Sequence, residues 1–135
     1  MTVLQETDCF NRGDYMATIL IVDDAKFMRL TLAAIIKKGN HQIVGEAESG
    51  KEAIELYEKY KPDLVTMDVT MPLMNGIEAT KAIRNKNPNA KIIMCSAMGQ
   101  QKVVRESIEA GAKDFIIKPF EENGVIDTIN RVLNY

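Results

Sequence analysis

From Ala17 onward, short β-branched runs alternate with amphipathic segments. The apolar runs predict strands at Thr18–Val22, Ile43–Ala47, Asp63–Met67, Lys91–Cys95 and Asp114–Ile117. Between them, apolar residues at steps of three and four predict helices near 25–38, 50–60, 76–86, 100–110 and 121–133. In the first helix Met28, Leu32, Ile35 and Ile36 form one stripe. In the second, Ala53, Ile54, Leu56 and Tyr57 do so while Lys51, Glu55 and Lys59 face water. Gly39, Gly50, Gly76 and Gly111 fall at helix boundaries, and Pro62, Pro72 and Pro88 in connections. The runs ILIV, LVTM and IIMC are continuously apolar, as strands covered on both faces should be. Strands alternating with helices imply an α/β fold: one (βα)5 doubly wound parallel sheet in a three-layer α/β/α sandwich. Residues 1–15 carry no sustained period and are expected to be a disordered tail ahead of a domain spanning 16–135.

Composition narrows the function without choosing it. The 135 residues suit one domain, and 46% hydrophobic with 27% charged residues describes a globular chain. Seventeen basic and nineteen acidic residues nearly cancel, which argues against nucleic acid as a partner. No run approaches the ~20 apolar residues that span a bilayer, so no membrane association is expected. The first fifteen residues lack the basic start and apolar core of a secretory signal. Cys9 and Cys95 are far apart and not spaced as metal ligands, and Cys95 lies in an apolar run that should bury it. These features together predict a cytoplasmic location.

The chemistry lies in polar residues that interrupt the apolar pattern. Asp23 and Asp24 end the first strand, Asp68 the third, Ser96 the fourth and Lys118 the fifth. In a parallel sheet those ends share one edge, where ligands bind near the reversal of strand order. Three converging carboxylates repel one another unless a counter-charge joins them. A hard divalent cation such as Mg²⁺, which takes oxygen ligands, meets that need. Lys118 adds a positive group and Ser96 a hydroxyl donor. A carboxylate nucleophile, a metal and a lysine are parts suited to moving a phosphoryl group. Singly, each residue has a plainer reading: an aspartate or serine in a turn or cap, a lysine in solvent. It is their recurrence at successive strand ends that favours a site.

The stretches ILIVDD at 19–24, LVTMDVTMPLMNG at 64–76, MCSAMG at 94–99 and DFIIKPF at 114–120 resemble the receiver domains of two-component response regulators. The resemblance covers about residues 17–133 and implies the flavodoxin-like strand order 2-1-3-4-5. It implies Asp68 as phosphoacceptor, Asp24 as a direct Mg²⁺ ligand, Asp23 as a ligand through water, and Thr70 as a backbone-carbonyl ligand. Ser96 resembles the switch hydroxyl, Phe115 the switch aromatic, and Lys118 the lysine before a proline that is cis in the family. DDAKFMR at 23–29, SAMGQQ at 96–101 and AGAKDFIIKPF at 110–120 are most similar to stand-alone chemotaxis receivers. That likeness implies a chemotaxis-type histidine kinase as phosphodonor and the flagellar motor switch protein as target. The sequence runs only about fifteen residues past Pro119, so output is expected through protein contact, by a monomer.

On phosphorylation Ser96 is expected to move toward the phosphoryl group and Phe115 to fill the space it leaves. Phe115 and Ile117 alternate with Ile116 and share one side of their strand. With Val104 they form the expected partner face, although Val104 reads equally well as core, and Ile108 is expected in the core. Where receivers that shut off quickly often carry amide or acidic groups, this chain has Thr70 and Met98. These two rate-tuning positions predict slow self-dephosphorylation and a separate phosphatase. A haloacid-dehalogenase-type phosphatase would need an aspartate at Thr70, so the chain is read as a switch and not an enzyme of metabolites. A flavodoxin-like cofactor module would need a phosphate-cradling loop where Asp23 and Asp24 stand. A receiver serving another phosphorelay output stays open.

Overall fold

The computed structural model describes residues 16–97 and 101–134. The expected tail at 1–15 and the rate-tuning position Met98 lie outside the described residues. Ten elements alternate: β1 (Thr18–Val22), α1 (Lys26–Lys38), β2 (Gln42–Ala47), α2 (Gly50–Tyr60), β3 (Leu64–Asp68), α3 (Gly76–Lys86), β4 (Ile92–Ala97), α4 (Gln101–Glu109), β5 (Asp114–Lys118) and α5 (Glu122–Leu133). The strands form one parallel sheet in the order β2-β1-β3-β4-β5. The doubly wound (βα)5 sandwich is therefore the architecture. β3 begins one residue later than the pattern placed it and reaches Asp68; β4 continues past Cys95 to Ala97.

Side chains alternate between two cores because successive strand residues point to opposite faces. Leu20, Val22, Val65, Met67, Ile92 and Met94 pack on one face with Ala53 and Tyr57 of α2 and Ala79 and Ile83 of α3. Ile19, Ile21, Leu64, Ile93, Cys95 and Ile116 pack on the other with Leu32, Ile35 and Ile36 of α1 and Val125, Ile129 and Val132 of α5. Fully burying such a side chain contributes roughly 1.5–3 kcal/mol, so these two layers fix the sheet. Local chemistry starts the helices. Ser49 accepts the Glu52 amide at the head of α2, and Asn75 forms a reciprocal capping box with Glu78 at the head of α3. Among the described residues no helix is long and apolar enough to cross a membrane.

One packing expectation fails. Ile108 is 48% exposed and is not core. The side of α4 turned to the protein runs through half-buried Val103 to buried Ser107, with buried Ala110 just past the helix. The Val104–Ile108 row is rotated one position toward solvent. Val104 is half-buried there.

Candidate functional site

After β1 the chain builds β2 on one side, then crosses to build β3 on the other, so strand order reverses between β1 and β3. A crevice opens at that reversal, beyond the carboxyl ends of the strands. Val22 pairs with Met67, which sets Asp23 beside Asp68 as the two strands end. Asp68 pairs with Cys95, Ser96 with Ile117 and Ala97 with Lys118, so the register carries Ser96 and Lys118 to the same edge.

Asp23 and Asp68 are buried, while Asp24 is exposed at the mouth. One carboxylate oxygen from each of the three lies within 4.8 Å of the others. Lys118 Nζ bridges the buried pair, 3.0 Å from Asp23 Oδ2 and 3.1 Å from Asp68 Oδ1. Asp24 makes no hydrogen bond or ion pair among the described residues. A set of three carboxylates against one lysine leaves net negative charge, and all its donors are oxygen. That donor set fits a hard divalent cation. Burial, then the neighbouring Asp23 charge, push the Asp68 carboxyl up to about 6 against the pull of Lys118. Burial acts to lower the Lys118 ammonium, but its hydrogen bonds to Asp23 and Asp68 outweigh that and the net direction is upward. Cys95, opposite Asp68, has its thiol pushed up to about 12 by burial and is an inert core group.

The sequence matches the response regulator receiver domain model over residues 19–130. The chain belongs to the response-regulator receiver family. This receiver is 59% identical over 114 residues to the chemotaxis protein CheY of Thermotoga maritima, covering 84% of this chain and 95% of that protein. It is 53% identical over 120 residues to protein CcdB of Bacillus subtilis, covering 89% and 100%. Among solved structures, a chain of the CheX–CheY–BeF3–Mg²⁺ complex from Borrelia burgdorferi superimposes with a TM-score of 0.82 at 36% identity, covering 86% of this chain and 88% of that chain. Receivers with CheY relatives are signalling switches rather than classical enzymes.

In this receiver the backbone around Asp68 is set by close approach. Val69 N donates to Cys95 O, and Gly76 N donates to Val69 O, folding the head of α3 back onto the end of β3. A Cβ at Gly76 would run into the Asp68 carbonyl oxygen, so only glycine fits that contact. Thr70 sits exposed in the connecting loop, two residues beyond Asp68. Ser96 is buried, and the Lys118–Pro119 peptide is cis. Phe115 is half-buried against the α2–α3 core layer, and Ile117 is 41% exposed. Asp23, Asp24, Asp68 and Lys118 are thus brought together, with Ser96 on the adjoining strand.

Arg29 was not among the residues singled out from the sequence. It is buried on α1, donating from Nη1 to the Asp23 carbonyl at 2.8 Å and from Nε to Glu46 at 2.9 Å. Its signal was available: a charge three residues before Leu32 and seven before Ile36, on the helix's apolar stripe.

Proposed function

We propose that this receiver takes a phosphoryl group from a chemotaxis-type histidine kinase onto Asp68 with Mg²⁺ and signals by contact with the flagellar motor switch protein. The observation that carries this reading is the junction of Asp23, Asp24 and Asp68 with Lys118 at the sheet's reversal point. The chemotaxis names of relatives and the BeF3 and Mg²⁺ of the Borrelia complex support it. In this reading Asp24 and Asp68 would hold Mg²⁺ directly, Asp23 would do so through water, and the Thr70 carbonyl would complete the protein's share. When bound, Mg²⁺ supplies positive charge that offsets the anionic oxygens gathering at Asp68.

The remaining work falls to the chain's own groups. An Asp68 carboxylate oxygen attacks the phosphorus as the phosphorus–nitrogen bond to the kinase histidine breaks. Lys118 exchanges its contact with Asp68 for a charge-assisted bond to a phosphoryl oxygen. The Ser96 hydroxyl turns to donate to another, and Phe115 rotates into the vacated space. The change reaches a face formed by Val104, Phe115 and Ile117, whose partial exposure suits a contact surface. Thr70 and Met98 offer little to hold an attacking water, so the signal persists until a separate phosphatase ends it.

Acetyl phosphate with Mg²⁺ is expected to label Asp68, and Asp68→Asn to abolish the label; an aspartyl-type label that persists in that variant would sink the assignment. Lys118→Ala is expected to fold yet to bind its target equally with and without phosphorylation. Thr70→Asn with Met98→Glu is expected to shorten the phosphorylated lifetime, and an unchanged decay rate refutes the role given to those positions. The second reading is a receiver serving another phosphorelay output, and the 53% identical Bacillus relative carries a name other than CheY. Phosphorylation-dependent binding to the motor switch protein separates the two.

A further inference from the structure

The Asp23–Asp24 turn is held unevenly. Asp23 is tethered by its amide, which donates to Ala47 O at 3.0 Å, by Oδ1, which accepts from Ala25 N at 2.9 Å, and by Oδ2 at Lys118. Asp24 is exposed, and its carboxylate has no hydrogen-bond or ion-pair partner among the described residues. Its aim therefore depends on its backbone, and the peptide plane leading into Asp24 carries the carbonyl of Asp23. Arg29 Nη1 donates to that carbonyl at 2.8 Å. The same guanidinium is anchored through Nε to Glu46 of β2 at 2.9 Å, with the Arg29 side chain 9% exposed and Glu46 43% exposed. A planar fork fixed at two points restrains what it holds in orientation as well as distance. The N-cap residue of α1, Ala25, makes no side-chain cap, so the other tie at the head of the helix is the Ala25 amide, which holds the Asp23 carboxylate and not the carbonyl that leads into Asp24. Burying a guanidinium also costs desolvation, which an apolar side chain packed on the same stripe would avoid.

We infer that Arg29, braced by Glu46, is a positioning residue that sets the peptide plane between Asp23 and Asp24 and so aims Asp24 at the divalent cation. The inference rests on the Mg²⁺ reading above. It assigns cation affinity to a residue that never touches the cation. Lysine at this position keeps the charge but presents a single ammonium, so it cannot meet the Asp23 carbonyl and Glu46 in the same fork.

The test is calorimetric titration of Mg²⁺ into the parent, Arg29→Gln, Arg29→Lys and Glu46→Ala proteins, with melting of each in EDTA. Loss of such a supporting partner typically weakens metal binding by about tenfold or more, which is the effect expected for Arg29→Gln. Arg29→Lys is expected to fall between the parent and Arg29→Gln. A merely structural role would lower the EDTA melting temperature and leave the Mg²⁺ dissociation constant alone; a constant within about twofold of the parent overturns the inference. If Arg29→Gln does not fold in EDTA, Glu46→Ala decides, since it removes the brace from a half-exposed side chain. Weakening of about threefold there upholds the inference, and an unchanged constant overturns it. Failure of the parent itself to bind Mg²⁺ removes both this inference and the functional reading, whereas normal parent binding with unaffected variants removes only this one.

Discussion

α1 and α4 both follow strands that end at the site, and both carry apolar residues at steps of three and four, yet they are held very differently. α1 buries Arg29, Leu32, Ala33, Ile35 and Ile36, and its first turn is pinned to the Asp23 loop. Along α4, among the described residues, only Ser107 is buried, and its hydroxyl turns back to Val103 O of its own helix. Beside it Ile108 and Ile117 stand 48% and 41% exposed. The difference teaches that a helix stripe shows which side faces the protein and not how completely that side is covered. Segments with few buried contacts open at lower free energy than the core. By that measure the acidic half of the edge is expected to open less readily than α4.

The comparison is sharpened most by Ile36, which is fully buried in α1. Ile36→Ala is expected to cost about 3–4 kcal/mol in urea denaturation, because it leaves a cavity between α1 and the sheet. Next in size is the charge held at the acidic half. The folded-state value of Asp68, about 6, lies above its ordinary 3.8; the stability it confers when protonated is present below pH 3.8 and lost as pH rises through about 6. Asp68→Asn in EDTA at pH 7.5 is therefore expected to gain about 1–2 kcal/mol, and the gain to shrink as pH falls toward 4. Equal stability of parent and variant at pH 7.5 would show that Lys118 already neutralises the cluster. Ile108→Ala should change stability by less than about 0.5 kcal/mol, as expected for a surface position. Amide exchange in EDTA should run ahead in α4 relative to α1. Indistinguishable exchange in the two helices, or a core-sized cost at Ile108, would break the comparison.

Most of the fold was legible because both periods are strong here. β1 and α2 fall where the pattern put them, and the central runs ILIV and LVTM are buried as continuous apolar strands must be. The acidic junction was legible for the same reason: charges at the ends of parallel strands have one edge to occupy. Ile108 was not, since a step of four from Val104 reads as core until the rotation of α4 on the sheet is known. Arg29 was missed because its role is played to a backbone carbonyl, and the sequence says nothing of where a carbonyl points. His41 shows the same blindness. It is buried, accepting from Ala17 N through Nδ1 at 3.2 Å and meeting Asn130 through Nε2 at 2.9 Å. Those partners lie 24 and 89 positions away in sequence.

The contact between Gly76 and Asp68 has a consequence for how this chain can vary. In a saturation library Gly76 should return a single letter, because even a methyl group would push α3 off the end of β3 and drag Asp68 with it. Three positions upstream Leu73 is fully exposed, so its side chain meets no such wall, although its positive φ of 69° leans toward asparagine or glycine. One short stretch therefore holds a position with room for glycine alone three residues after one where space sets no limit. Selection or engineering that sought a different placement of Asp68 would have to remodel the whole β3–α3 junction rather than adjust it residue by residue.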